Sequence, residues 1–177
     1  MLEEDNSKLK KDYEYFDVTA DIGFYAYGSS LEEAYENAGS AMFNVITDLE
    51  KVKPAVSREI EIVSEDLVSL LYDYLEELLF LQDVDFLFLS KFDVKIEKLD
   101  DSQKKSLDEN LPDGEALSIN PDEESSLSNY KLIATLYGEE INWDVHEHRS
   151  EVKAVTYHLM DVKKENGVYI LRAILDL

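Results

Sequence analysis

The chain opens its structured part with alternating residues. Residues 13–18, YEYFDV, and 22–27, IGFYAY, each read as a strand, and in the second Ile22, Phe24 and Ala26 fall on one face. Gly28, Ser29 and Ser30 then turn the chain, and Ser30 with Glu33 has the spacing of a helix capping box. From there the period changes. Leu31, Ala34, Tyr35, Ala38, Ala41, Met42, Val45 and Ile46 form one helical stripe, which predicts a helix ending near Thr47. Residues 57–63, SREIEIV, alternate again and predict a half-buried strand. Ser64 stands where it can cap the next helix. That helix buries Leu67, Leu70, Leu71, Tyr74, Leu75, Leu78 and Leu79 and turns Asp73, Glu76 and Glu77 to solvent. Residues 86–89, FLFL, and 92–99, FDVKIEKL, read as two strands around Ser90 and Lys91.

Residues 100–129 break the pattern. They hold nine acids, two bases and two prolines, with almost no aromatic character, so they bury too little to order themselves. They read as a disordered acidic insertion. The strands on either side, 92–99 and 130–137, can still pair, because a long loop costs little more to close than a short one. Farther on, Asn166-Gly167 predicts a tight hairpin between AVTYHLMDV and VYILRAIL. The segment SEVKA before them fits a strand or a helical turn equally well. Residues 1–12 are polar and read as a flexible tail, leaving 13–177 as one domain. The expected class is α+β, two helices packed on a largely antiparallel sheet.

Charge narrows the function. Forty Asp and Glu against 17 Lys and Arg give a net charge of −23. Nucleic-acid binding needs clustered bases, so any role with RNA should run through a protein partner with a basic surface. There is no cysteine, which excludes disulfides and thiolate metal sites and fits a reducing compartment, cytoplasmic or nuclear. The N-terminus shows no apolar leader segment, and no apolar run is long enough to span a membrane. P-loop, GxGxxG, GxSxG and HExxH motifs are absent. His146-Glu147-His148 is the densest histidine feature, but a third ligand is missing and the polar setting favours solvent-exposed side chains. His158, inside an apolar strand, reads as a core or interface residue.

The aspartates remain. Asp17, Asp21 and Asp48 each end a predicted element, where aspartate commonly caps or turns. Asp21 differs if its strand neighbours the last one, because the chain finishes Leu175-Asp176-Leu177. Three carboxylates would then converge, and a hard cation such as calcium or magnesium would offset their repulsion.

These stretches together resemble the archease family. The matching segments are YEYFDVTADIGFYAYGSSLEEAYENAGSAMFNVITD, EDLVSLLYDYLEELLFL, SEVKAVTYHLM and the final LDL. The resemblance implies an archease-like fold and a protein that activates the RtcB-type ligase of tRNA splicing without being an enzyme itself. It implies that Asp21, Asp176 and Leu177 form a divalent-metal site and that Lys153 serves ligase activation. The metal expected is calcium or magnesium, with manganese in the ligase complex, and GTP acts with the ligase partner. Val18 stands where the family pattern Asp-His-Thr-Ala-Asp has its histidine, and Leu177 stands where it has a final isoleucine. The length of the insertion points to a eukaryotic chain. Two other readings stay open, an autonomous metal-dependent hydrolase and an acidic chaperone or nucleic-acid mimic. The partner expected is the ligase, with neither direct high-affinity RNA binding nor a membrane.

Overall fold

The computed structural model describes residues 11–108 and 129–177. Two antiparallel sheets enclose two long helices. β1 (Tyr13–Val18) and β2 (Asp21–Gly28) form a hairpin closed by Thr19 and Ala20. α1 (Leu31–Ile46) follows, then a 3-10 turn at Leu49–Lys51. β3 (Val56–Ser64), α2 (Leu67–Asp85) and β4 (Leu87–Lys98) come next. After a short α3 (Asp101–Asp108), β5 (Tyr130–Glu140), β6 (Ala154–Glu165) and β7 (Val168–Asp176) complete the chain. One sheet has the order β1-β2-β7-β6 and the other β3-β5-β4. α1 packs on β2 and β7 of the first sheet and on β4 of the second. α2 packs on β6 of the first and on all three strands of the second. The core lies along these contacts and includes Phe24, Tyr35, Met42, Phe43, Tyr74 and Phe88, all fully buried.

Local chemistry accounts for most boundaries. The Ser30 hydroxyl accepts the Glu33 amide at 3.1 Å, and the Glu33 carboxylate takes the Ser29 amide and hydroxyl. Those bonds hold the Glu33 carboxyl below its ordinary value. Asn166 (φ 49) and Gly167 (φ 78) make the β6–β7 turn with both residues left-handed, as a two-residue hairpin prefers.

The structure corrects several expectations. Asp66, not Ser64, caps α2, accepting the Ser69 amide at 2.7 Å, and Ser64 instead donates to Asp73. Ser90 and Lys91 do not separate two strands. They sit at a bulge inside the continuous β4, where the register on β5 shifts between Leu89 and Lys91. Glu76 is half-buried and accepts the Val155 amide at 2.9 Å, although the helical pattern turned it to solvent. Glu36 of α1 likewise accepts the Val94 amide at 3.0 Å. Each helix thus covers part of a sheet edge with a carboxylate. The insertion was expected to lack regular structure from Asp100 onward, yet α3 forms at its start. The Asp100 carboxylate accepts the Gln103 amide at 2.9 Å there. The remainder of the insertion, 109–128, and the tail 1–10 lie outside the described residues. Within SEVKA, Ser150 to Lys153 are neither strand nor helix, and β6 begins at its last residue, Ala154.

Candidate metal and activation site

The hairpin that begins β2 turns through Ala20 at φ 66, a left-handed backbone uncommon outside glycine. Asp21 emerges from this turn opposite Val18 on one side and opposite Asp176 of β7 on the other. Asp176 in turn pairs with Ala154 of β6. Cross-strand partners share a face, so Asp21 and Asp176 project together. Their face is the outer one, because Ile22, Phe24 and Ala26, which alternate with Asp21 along β2, belong to the core packed on the helices. Gly23, next along β2, lies under the Phe16 ring. A Cβ there would stand 2.1 Å from Phe16 Cζ, so any side chain at this position would have to push that ring aside.

Lys153 joins this corner through two contacts. Its amide donates to the Asp176 carbonyl at 2.8 Å, and its Nζ donates to the Leu177 main-chain oxygen at 3.2 Å. Asp21 is half-buried, Asp176 exposed and Leu177 half-buried. Among the described residues neither aspartate carboxylate has a hydrogen-bond or ion-pair partner. Two like charges held opposite each other destabilise a sheet unless something neutralises them. The donors are all oxygens, which suits calcium or magnesium. Among the described residues no three His, Asp or Glu side chains converge on one metal position. The corner therefore offers two carboxylates and a main-chain oxygen, with the rest of a coordination shell left to water or to a partner.

The other candidates separate from this corner. Asp17 pairs with Ile22 and is exposed. Asp48 caps the 3-10 turn, accepting the Glu50 amide at 3.2 Å, and lies 3.6 Å from Lys51. His146 is buried, contrary to its expected exposure. Its Nδ1 accepts the Asn142 amide at 2.9 Å, so the ring proton sits on Nε2 and is donated to Glu139 at 2.8 Å. The Lys53 amide and His146 together hold the Glu139 carboxyl below its ordinary value. A turn from Asn142 to His146 causes the burial, and the polar composition of that segment concealed it. His148 is exposed and rests on Trp143 with ring centres 5.1 Å apart. His158 is exposed rather than in the core, because β6 bulges there.

Arg149 is a residue the sequence patterns did not single out. It donates to the Asn44 carbonyl and side-chain oxygens at 3.2 Å each, and its amide donates to the Ile46 carbonyl at 3.0 Å. α1 has no base in its own last turn. Arg149 supplies the positive charge that this helix end favours, and anchors the segment leading to Lys153. A contact across this sequence distance leaves no local signal.

Two antiparallel sheets around two helices, with an outward carboxylate pair where β2 meets β7, define an α+β protein whose candidate site lies on a sheet corner. The sequence model of the archease protein family matches residues 13–177, and the chain belongs to that family. It is 47% identical over 167 residues to protein archease of Methanothermobacter thermautotrophicus, covering 94% of this chain and 99% of that one. It is 40% identical to the Sulfolobus acidocaldarius protein archease, covering 93% and 98%. The solution structure of Methanobacterium thermoautotrophicum protein 1598 superposes with a TM-score of 0.68 at 42% identity, over 94% and 99% of the two chains. The crystal structure of a Thermotoga maritima archease, described as a possible chaperone, shares the fold with a TM-score of 0.51 at 15% identity, over 92% and 94%.

Proposed function

We propose that this chain is a non-catalytic activator of an RtcB-type RNA ligase in tRNA splicing. In this reading it promotes the GTP-dependent guanylylation of the ligase and so its turnover. The observation that carries the reading is the corner where Asp21 faces Asp176 in register, with the Leu177 oxygen and Lys153 beside them. Asp21, Asp176 and Leu177 would hold calcium or magnesium, or manganese once the ligase is bound. The metal would supply positive charge at a surface that otherwise repels phosphate. Lys153 carries a charge of the sign that meets a nucleotide or a ligase carboxylate. The ligase contributes the reacting groups and GTP. The net charge of −23 supports docking on a basic, phosphate-handling cleft and opposes direct RNA binding.

The test combines purified chain, RtcB-type ligase, GTP, divalent metal and cleaved tRNA. The parent should accelerate ligation. Asp21→Asn keeps the shape and removes one charge, so it should weaken both cation binding and activation by ~10-fold or more. Lys153→Ala should impair activation and leave cation binding intact. A chaperone acting by charge alone would tolerate Asp21→Asn, and a hydrolase would act on its substrate without the ligase. Parent-like calcium binding and activation by Asp21→Asn would remove the site from the reading.

A further inference from the structure

β6 leaves its ladder with β7 after Thr156, which pairs with Ile174, and rejoins it at Asp161, which pairs with Arg172. Residues 157–160 therefore stand opposite Ala173 alone. Met160 turns back into the core, while Tyr157 and Leu159 are 49% and 51% exposed. Leu159 has φ 58, in the region that favours glycine or asparagine.

The excursion is pinned. Arg172 Nε donates to the Leu159 carbonyl at 2.6 Å, and the His158 amide donates to Thr156 Oγ1 at 3.3 Å. The Tyr157 hydroxyl bonds Ser69 of α2, and its ring lies 4.9 Å from that of Tyr72. A fixed backbone suited to glycine thus carries a leucine whose side chain is half in water. That combination costs folding energy and gains little from burial, and such strain is retained where a side chain acts outside the fold.

Its setting limits the occupant. Asp161 closes the excursion, Asp66 accepts the amide of the Ser69 that holds Tyr157, and Glu76 accepts the Val155 amide. Arg172 is engaged on the Leu159 carbonyl, and an apolar tip carried by a chain of net charge −23 fits an apolar cleft bordered by lysine and arginine. A second copy, also at −23, has the wrong sign. The same strand starts at Ala154, the partner of Asp176 and the neighbour of Lys153.

We propose that the β6 excursion, with Leu159 at its tip and Tyr157 bracing it, inserts into a basic-rimmed apolar cleft of the ligase and supplies docking affinity separate from the carboxylate corner. This rests on the function proposed above, since it takes its partner from there.

Leu159→Gly tests it, because glycine adopts this backbone without strain. Calorimetry would measure binding of parent and variant to the purified ligase at physiological salt, alongside thermal melting and activation against chain concentration. The variant should melt at the parent temperature or higher. It should bind about tenfold or more weakly and still reach the parent's maximal activation at saturation. Binding as tight as the parent's by a folded Leu159→Gly chain would overturn the inference and leave the carboxylate corner untouched. So would a parent dimer that Leu159→Gly dissolves, which would assign the tip to a second copy. Failure of the parent itself to bind the ligase would overturn the function and this inference together, and is told apart by needing no variant.

Discussion

Glu36 illustrates how one side chain serves the edge of a sheet at a cost. Burial raises its carboxyl above the ordinary 4.5, against the lowering effect of the Val94 amide and with help from Asp93, Glu33 and Glu32. A raised folded value means that the native state holds this proton more tightly than the unfolded chain. The resulting stability is present below 4.5 and is lost as pH rises through the folded value. Glu36→Gln keeps an acceptor for Val94 and removes the buried charge. It should raise the melting temperature at pH 7 by about 2 °C, and melting curves against pH should show that gain vanish under acid conditions. Glu33 has the opposite sign. Its hydrogen bonds from Ser29 lower it, so its contribution is present above 4.5 and fades as pH falls through the lowered value. Such pairs bear on what a sequence discloses. Ser30 and Glu33 are three residues apart and declare themselves. The meeting of Asp21 with Asp176 depends on strand order, which no local pattern encodes, so the resemblance alone supplied it. The Asn142–His146 hydrogen bond needs only a turn, but nothing in that polar segment marks the turn as buried.

The bulge in β4 is an element whose geometry depends on a residue in its neighbour. Gly138 of β5 pairs with Leu89, where the register shifts, and with Val56 on its other side. A Cβ at Gly138 would lie 1.8 Å from the Phe88 carbonyl oxygen, a main-chain atom with no rotamer by which to withdraw. Gly138→Ala should therefore destabilise the chain by ~2–3 kcal/mol, read from denaturant unfolding, with the second sheet the first to lose amide protection. Elements were legible where one face is buried and the other wet. The alternation of β1, β2 and β3 and the stripes of α1 and α2 have that form. FLFL and FDVKIEKL looked like two strands because Ser90-Lys91 resembles a turn, while the bulge that joins them is set by close approach to Gly138. α3 was missed because composition averages over the whole insertion, whereas the cap at Asp100 is a local device.

At the scale of the whole molecule, the charge of −23 acts on everything outside the core. The free chain should show no measurable affinity for tRNA at physiological salt in a gel-shift or anisotropy titration. Calcium should raise the melting temperature by mass action beyond sodium chloride of equal ionic strength, and Asp21→Asn should abolish that excess. One further feature reaches beyond the native protein. The Leu99 amide donates to the Asn129 carbonyl at 2.8 Å, and Lys98 pairs with Tyr130, so the chain leaves the second sheet and returns to it at adjacent points. A guest domain whose own termini lie close together can be spliced between Leu99 and Asn129, in place of the insertion, with no more closure cost than a loop. A fluorescent reporter placed there would leave the Leu177 corner unencumbered, where an affinity tag attached after Leu177 would crowd the proposed ligands. Internal labelling, with cooperative melting preserved, is the route by which this protein can be immobilised or tracked with its carboxylate corner intact.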